Sequence, residues 1–193
     1  MLGLKMATDP RWVGVAEKNI EEVLTDHAWC EQKACSNAIS MVTKFHDKPD
    51  LVAELLEIAR EELEHFKMVT VKLEERGLKL GAEGKDQYVN DIRKYIRRGG
   101  DKTDQLVDSL LFSAMIEARS CERFKLLSEE ISDPDLQRFY RGLMESEAGH
   151  YATFLNYARK YGDREAVDKR WQEFLEFEGQ LITSYGVNST MHG

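Results

Sequence analysis

Two Glu-x-x-His motifs stand in corresponding places along this chain, and each follows a lone glutamate at nearly the same distance. Glu62-Leu-Glu-His65 comes 31 residues after Glu31, and Glu147-Ala-Gly-His150 comes 30 residues after Glu117. The surrounding text repeats too: Glu31-Gln-Lys-Ala-Cys35 matches Glu117-Ala-Arg-Ser-Cys121, and an aromatic residue, Phe66 or Tyr151, follows each histidine. A chain that keeps such a pattern twice must bring four helix faces into register.

The faces are legible from apolar periodicity, since residues three and four apart share one side of a helix. The stripes predict helices over roughly 9–46 (Leu24, Ala28, Cys35, Ala38, Met41), 50–77 (Leu51, Leu55, Ile58, Val69, Leu73), 102–130 (Leu106, Leu110, Ala114, Cys121, Phe124) and 134–161 (Leu136, Tyr140, Leu143, Phe154). Gly77 reads as a stop, and Asp133-Pro134 as an N-cap followed by a first helical residue. A fifth helix is expected over roughly 163–184, carrying Val167, Trp171, Phe174 and Leu181 and packing outside the other four. Residues 78–101 form a longer connection with a short helix near 86–97. No segment alternates with a period of two, so no sheet is expected.

Each of the four stripes has a gap filled by an acid: Glu31, Glu62, Glu117 and Glu147. A carboxylate at a core-facing position is costly unless something compensates it. Four at one level repel one another unless cations sit among them. Two hard divalent metals answer that need and accept imidazole, here His65 and His150, as borderline ligands. A Glu from each of two helices plus a Glu-x-x-His from each of the other two is the donor set of ferritin-like di-iron or di-manganese bundles. The expectation is therefore an all-α, ferritin-like four-helix bundle. It is made of two helical hairpins joined by a long crossover, with an added C-terminal helix, as one domain over 1–193. Glu62 and Glu147 are expected to be shared between the ions, Glu31 and Glu117 to be terminal, and each histidine to cap one ion. Glu122 competes weakly with Glu117 but breaks the repeat, and His27, one turn before Glu31, is a candidate support for it, although a histidine there is more often simply packed or on the surface.

Composition narrows the setting. The 193 residues suit one domain, and no apolar run approaches the roughly 20 residues of a membrane span. The first residues lack a secretory signal's apolar core, so a cytoplasmic address is expected. Three cysteines without a CxxC argue against a zinc knuckle or rubredoxin-type site and read as reduced thiols. The net charge of −8 argues against indiscriminate nucleic-acid binding. Two divalent cations would halve it, and one local basic patch could still dock RNA. The densest is Arg93, Lys94, Arg97, Arg98 and Lys102, with Tyr88 and Tyr95 nearby. Such residues suit phosphates and single-stranded bases, although a five-residue basic run is more often a solvated face.

Four stretches carry a more specific likeness: DHAWCEQKA (26–34), AREELEHF (59–66), IEARSCERF (116–124) and FYRGLMESEAGHY (139–151). With them the chain resembles the tRNA 2-methylthio-N6-isopentenyladenosine hydroxylases. The resemblance implies an oxygen-dependent non-haem diiron monooxygenase that hydroxylates the isopentenyl group of a hypermodified adenosine beside the anticodon. It carries over Glu31, Glu62, His65, Glu117, Glu147 and His150 as ligands of two irons, with dioxygen as co-substrate. No flavin or iron–sulfur motif is present, so electrons are expected from a separate reductase. The runner-up is a ferritin-like iron oxidase or peroxidase without RNA; a metal-free helical scaffold is the third reading.

Overall fold

The computed structural model describes residues 2–185 and 190–192. Its described residues form seven helices and no strand: α1 (Arg11–Lys18), α2 (Ile20–Lys44), α3 (Pro49–Glu75), α4 (Gln87–Lys94), α5 (Lys102–Glu130), α6 (Pro134–Tyr161) and α7 (Arg164–Ser184). None of these helices is long and apolar enough to cross a membrane. The described residues gather into two compact units, one of 18–85 with 190–191, the other of 2–17, 86–185 and 192.

The first unit is a two-helix hairpin. Val23, Leu24, Ala28, Ala38 and Met41 of α2 are buried, as are Leu51, Leu55, Ile58, Val69 and Leu73 of α3. Gly77 ends α3 as expected. With Arg76 as C-cap, the Gly77 N–H reaches the Glu74 carbonyl and the Leu78 N–H reaches the Leu73 carbonyl, both at 2.9 Å. This paired closure needs a left-handed residue between the two bonds, and Gly77 supplies φ +68° without a Cβ penalty. The chain then runs back along α2: Gly81 accepts from the Trp29 indole at 3.0 Å and donates to Thr25 Oγ1 at 3.3 Å. A Cβ on Gly81 would stand 3.2 Å from Thr25 Cγ2, so this close approach favours glycine.

The second unit is built around α5, which packs mainly on α6 and also touches α4 and α7. Asp133 caps α6 by accepting from the Asp135 and Leu136 N–H groups, with Pro134 in its first turn. Asp101, Asp86 and Asp163 cap α5, α4 and α7 in the same way. Each such cap contributes on the order of 1 kcal/mol.

One boundary differs from the sequence reading. The segment expected to be continuous over 9–46 breaks at Asn19, whose φ −130° and ψ 40° are not helical. Asn19 still lends its carbonyl to Val23 N at 3.0 Å, so α2 starts there as a new helix. Asparagine leaves the helical conformation at little cost, while the apolar spacing runs on through the break and conceals it.

Candidate metal centre

In the first unit, Glu31 sits on α2 one turn after Ala28, and Glu62 and His65 sit on α3 between Ile58 and Val69. Facing helices bring the three together: one ligand atom from each lies within 4.8 Å of the others. His65 Nδ1 stands 3.6 Å from Glu31 Oε2 and 3.5 Å from Glu62 Oε2. His27, fully buried, puts Nε2 2.6 Å from Glu31 Oε1. An Nε2–H donor there fixes the carboxylate's rotation and leaves Oε2 toward His65. Cys35 follows Glu31 by one turn, and burial, then the Glu62 charge, raises its thiol pKa.

The second unit repeats the arrangement. Glu117 of α5 and Glu147 and His150 of α6 again offer ligand atoms within 4.8 Å of one another. His150 Nδ1 is 3.8 Å from Glu147 Oε2. Cys121 follows Glu117 as Cys35 follows Glu31, and donates its thiol proton to the Met144 carbonyl at 3.4 Å. Burial, then the Glu147 and Glu122 charges, pushes Cys121 up to about 12. At neutral pH it is a neutral thiol.

Each unit thus holds two carboxylates and an imidazole, all buried: Glu62 is 0% exposed, and the most accessible of the six, His65, only 7%. Two carboxylates so close and so dry repel, and a divalent cation between them replaces repulsion with attraction. Oxygen and imidazole donors suit iron or manganese. The residues fit a metal.

The stretch IEARSCERF proves to be the keystone of the second unit. Arg119, 0% exposed, donates to Glu178 Oε1 from Nε (2.8 Å) and Nη2 (2.6 Å), to Glu122 Oε2 (3.0 Å) and to the Met6 carbonyl (3.0 Å). Tyr88 of α4 donates to the same Glu178 oxygen at 3.2 Å. One guanidinium therefore ties α5 to α7 and the N-terminal arm two residues beyond Glu117. Glu122 is occupied on this side, accepting also from the Thr8 N–H and hydroxyl, which accounts for its breaking the ligand repeat. Arg123 lies over the Trp12 indole, 4.2 Å from its centroid, and Phe124 packs on Tyr140. Ser120 meets His192 Nε2 at 3.0 Å, while His192 Nδ1 meets Asp86 at 3.0 Å and its ring stacks on Tyr88. Sequence reading held Arg119 and Arg123 only within the IEARSCERF stretch, set Tyr88 beside the basic run, and singled out none of Asp86, Glu178 and His192. Their partners lie scores of residues away and leave no local pattern.

The basic residues lie in the same unit. Arg93 and Lys94 occupy the last turn of α4, and Arg97, Arg98 and Lys102 follow; all five are exposed. They are not equally available. Arg97 grips the buried Asp108 through its backbone N–H (2.8 Å), Nε (3.1 Å) and Nη2 (2.8 Å). Lys94 pairs with Asp91 at 2.5 Å. Tyr88, 1% exposed, is no platform for a base, and Tyr95 stacks on Phe177 with centroids 4.3 Å apart.

Comparison with known proteins agrees with this geometry. A Synechococcus protein with aldehyde deformylating oxygenase activity superposes with TM-score 0.92 at 34% identity, covering 98% of this chain and 95% of that one. The fold is ferritin-like. A Pseudomonas putida protein named tRNA 2-(methylsulfanyl)-N(6)-isopentenyladenosine(37) hydroxylase is 37% identical over 177 residues, which is 92% of this chain and 85% of the relative. The Salmonella typhimurium protein of the same name is 30% identical over 230 residues, covering 94% and 84%. Residues 2–193 match the family described as tRNA-(MS[2]IO[6]A)-hydroxylase (MiaE), and the chain belongs to that family.

Proposed function

We propose that this chain hydroxylates the isopentenyl side chain of 2-methylthio-N6-isopentenyladenosine next to the anticodon in tRNA. Glu31, Glu62, His65, Glu117, Glu147 and His150 would hold two iron ions. The observation that carries the reading is the twin carboxylate–imidazole trio, buried in each unit of a chain matched from residue 2 to 193 by a hydroxylase family. The two units are taken to act as one domain, the protein to work in the cytoplasm, and its electrons to come from a separate reductase.

Two irons bound there would supply the oxidising chemistry: a C–H bond becomes C–OH, dioxygen gives its second oxygen to water, and two electrons and two protons enter from outside. The protein's own part is arrangement. His27 holds Glu31 by a 2.6 Å hydrogen bond, so that ligand need not be ordered on metal binding. The burial of all six donors keeps water from their lone pairs.

Arg93, Lys94, Arg97, Arg98 and Lys102 are proposed to hold phosphates of the anticodon arm. Arg97 already serves Asp108, so Arg98 and Lys102 should carry more of the binding.

The test is an in vitro reaction of iron-loaded protein with reductant, oxygen and isopentenylated tRNA, read by nucleoside analysis. A nucleoside heavier by one oxygen is expected, and unchanged nucleoside would overturn the reading. Arg98→Ala with Lys102→Ala should weaken tRNA binding and flatten its salt dependence by roughly one unit per lost contact while iron content holds. An aldehyde offered in place of tRNA checks the activity named for the Synechococcus relative.

A further inference from the structure

The last two turns of α6 carry two tyrosines for which the ligand trio has no use. Tyr157 and Tyr161, one turn apart, stack with ring centroids 6.2 Å apart and planes inclined by 22°. Both are half-buried, whereas their neighbours Phe154, Leu155 and Ala158 are buried and make the core. Lys160 is exposed and sets its Nζ 5.4 Å from the Tyr157 ring centre and 5.8 Å from that of Tyr161. Tyr157 comes seven residues after His150, two turns and about 10 Å along the helix.

Two adjacent residues of α5 join this end of α6 to the basic run. Val107 lies so close to the α6–α7 junction that a Cβ on Gly162 would stand 2.8 Å from its Cγ2. Asp108 accepts from Arg97 of the basic run and from Arg170 of α7, all at 2.8–3.1 Å. The tyrosine pair, Lys160, Arg98 and Lys102 thus share one end of the α5–α6 hairpin. Arg98 and Lys102 are exposed, and neither pairs with an acid among the described residues. The acids beside them are engaged. Asp101 caps α5 through the Asp104 N–H at 2.8 Å, Asp163 caps α7 through the Ala166 N–H at 3.0 Å, and Asp168 holds Arg159 at 2.7 Å. In a chain of net charge −8, this end gathers cations around exposed ring surface. Cations suit phosphates, and an unpaired base of any identity stacks on an aromatic ring.

We propose that Tyr157 and Tyr161 stack an unpaired base of a looped RNA, while Lys160, Arg98 and Lys102 hold the phosphates around it. The identity of that RNA as an anticodon arm rests on the substrate reading above; the stacking surface and its place two turns from His150 are additional to it.

The test uses iron-loaded protein without reductant and an anticodon stem-loop carrying 2-aminopurine at each loop position in turn, a base whose fluorescence falls when it stacks. Stacking on a ring contributes about 5- to 100-fold in affinity per base. Tyr157→Leu with Tyr161→Leu should weaken binding by such a factor, restore the fluorescence at one position and leave the salt slope unchanged, since a ring releases no counterion. Tyr157→Phe with Tyr161→Phe keeps both rings and should bind as the parent does. Lys160→Met should flatten the salt slope by roughly one unit. A duplex of the same length, its bases paired, should bind the parent and the leucine variant equally. Stem-loop binding unchanged in the leucine variant, a loss equal for the duplex, or fluorescence that stays high at every position with the parent overturns the proposal. If the leucine variant does not fold, the fluorescence with the parent and the slope of Lys160→Met still decide. Turnover is scored separately. A parent that stacks the loop base but leaves isopentenylated tRNA unchanged overturns the hydroxylase reading alone, and one that hydroxylates tRNA while the leucine variant binds it fully overturns the stacking alone.

Discussion

The α2–α3 hairpin holds Glu31, Glu62 and His65 on two helices whose unit contains little else than the return strand of chain from Gly77 to Lys85. The α5–α6 hairpin holds Glu117, Glu147 and His150 on helices braced by the N-terminal arm, α1, α4 and α7. Burial records the difference: eight of the 27 residues of α3 are buried, against eighteen of the 29 of α5. Both hairpins nevertheless hold their donors within the same 4.8 Å. Donor spacing is set by two facing helices and a three-residue step, and the bracing serves another end. In the second unit buried ions do the bracing; in the first, a buried contact of this kind is His27 on Glu31, at the trio itself.

Breaking the bracing should produce the largest effect. Arg119→Met strands Glu178 in the interior, and removing one partner of a buried pair costs about 3–5 kcal/mol. Denaturant midpoints measure the loss. Hydrogen exchange locates it, and protection should fall in α5 and α7 while α2 and α3 keep theirs. Arg119→Met combined with Glu178→Leu should recover much of the stability, since an apolar pair leaves no buried charge. Equal loss of protection in both hairpins would abolish the distinction.

That bracing is also where sequence reading stopped short. The twin Glu and Glu-x-x-His were legible because donors must recur with helical period on apolar stripes. The end of α3 and the start of α6 were legible because Gly77 and the Asp133-Pro134 pair act within a few residues. Arg119 stands in the distinctive IEARSCERF stretch, but its partners Glu178 and Met6 lie 59 and 113 residues away and no spacing announces them. The basic run read as one surface cluster, yet Arg97 belongs with an acid on the next helix. Tyr88, read beside that cluster as an aromatic for RNA, is buried because its hydroxyl completes the Glu178 site. Periodicity reports which face is inward, and it is silent on which inward polar groups meet.

The comparison can be sharpened at the metal. In the internal repeat the position four before Glu31 is His27, while the position four before Glu117 is Ser113. His27→Gln keeps a hydrogen-bond donor and His27→Ala removes it. His27→Ala should weaken iron binding about 10- to 100-fold, with Glu31 no longer held, and Gln should restore part of it. Competition with a chelator measures both, and the circular dichroism of the apo-protein should hardly change. Ser113→Ala should cost less. Equal losses at the two positions would mean that the hairpins hold their ligands alike.

The smallest expected effect is a dependence on pH confined to the braced unit. Asp108 and Glu178 are both 0% exposed and both meet arginines, yet their carboxyls shift in opposite directions. Burial alone would raise Asp108, but Arg170 and Arg97 donate to both of its oxygens at 2.8–3.1 Å and hold it below the usual range. Glu178 receives Arg119 and Tyr88 on Oε1 only; Oε2 has no hydrogen-bond partner among the described residues, and burial carries the carboxyl upward. For Asp108 the folded pKa lies below the unfolded one, near 4, so its contribution is complete above about pH 4 and is lost as pH falls through the folded value. For Glu178 the folded pKa lies above, so its contribution is present below the unfolded value and fades as pH rises through the folded one. Asp108→Asn should therefore flatten the acid limb of stability below about pH 4, and Glu178→Gln should remove an opposing slope above it. Denaturant midpoints of each variant, subtracted from those of the parent across the pH range, cancel the titrations that variant and parent share. If both difference curves run the same way, satisfaction of the second carboxylate oxygen is not what separates the two buried ion knots.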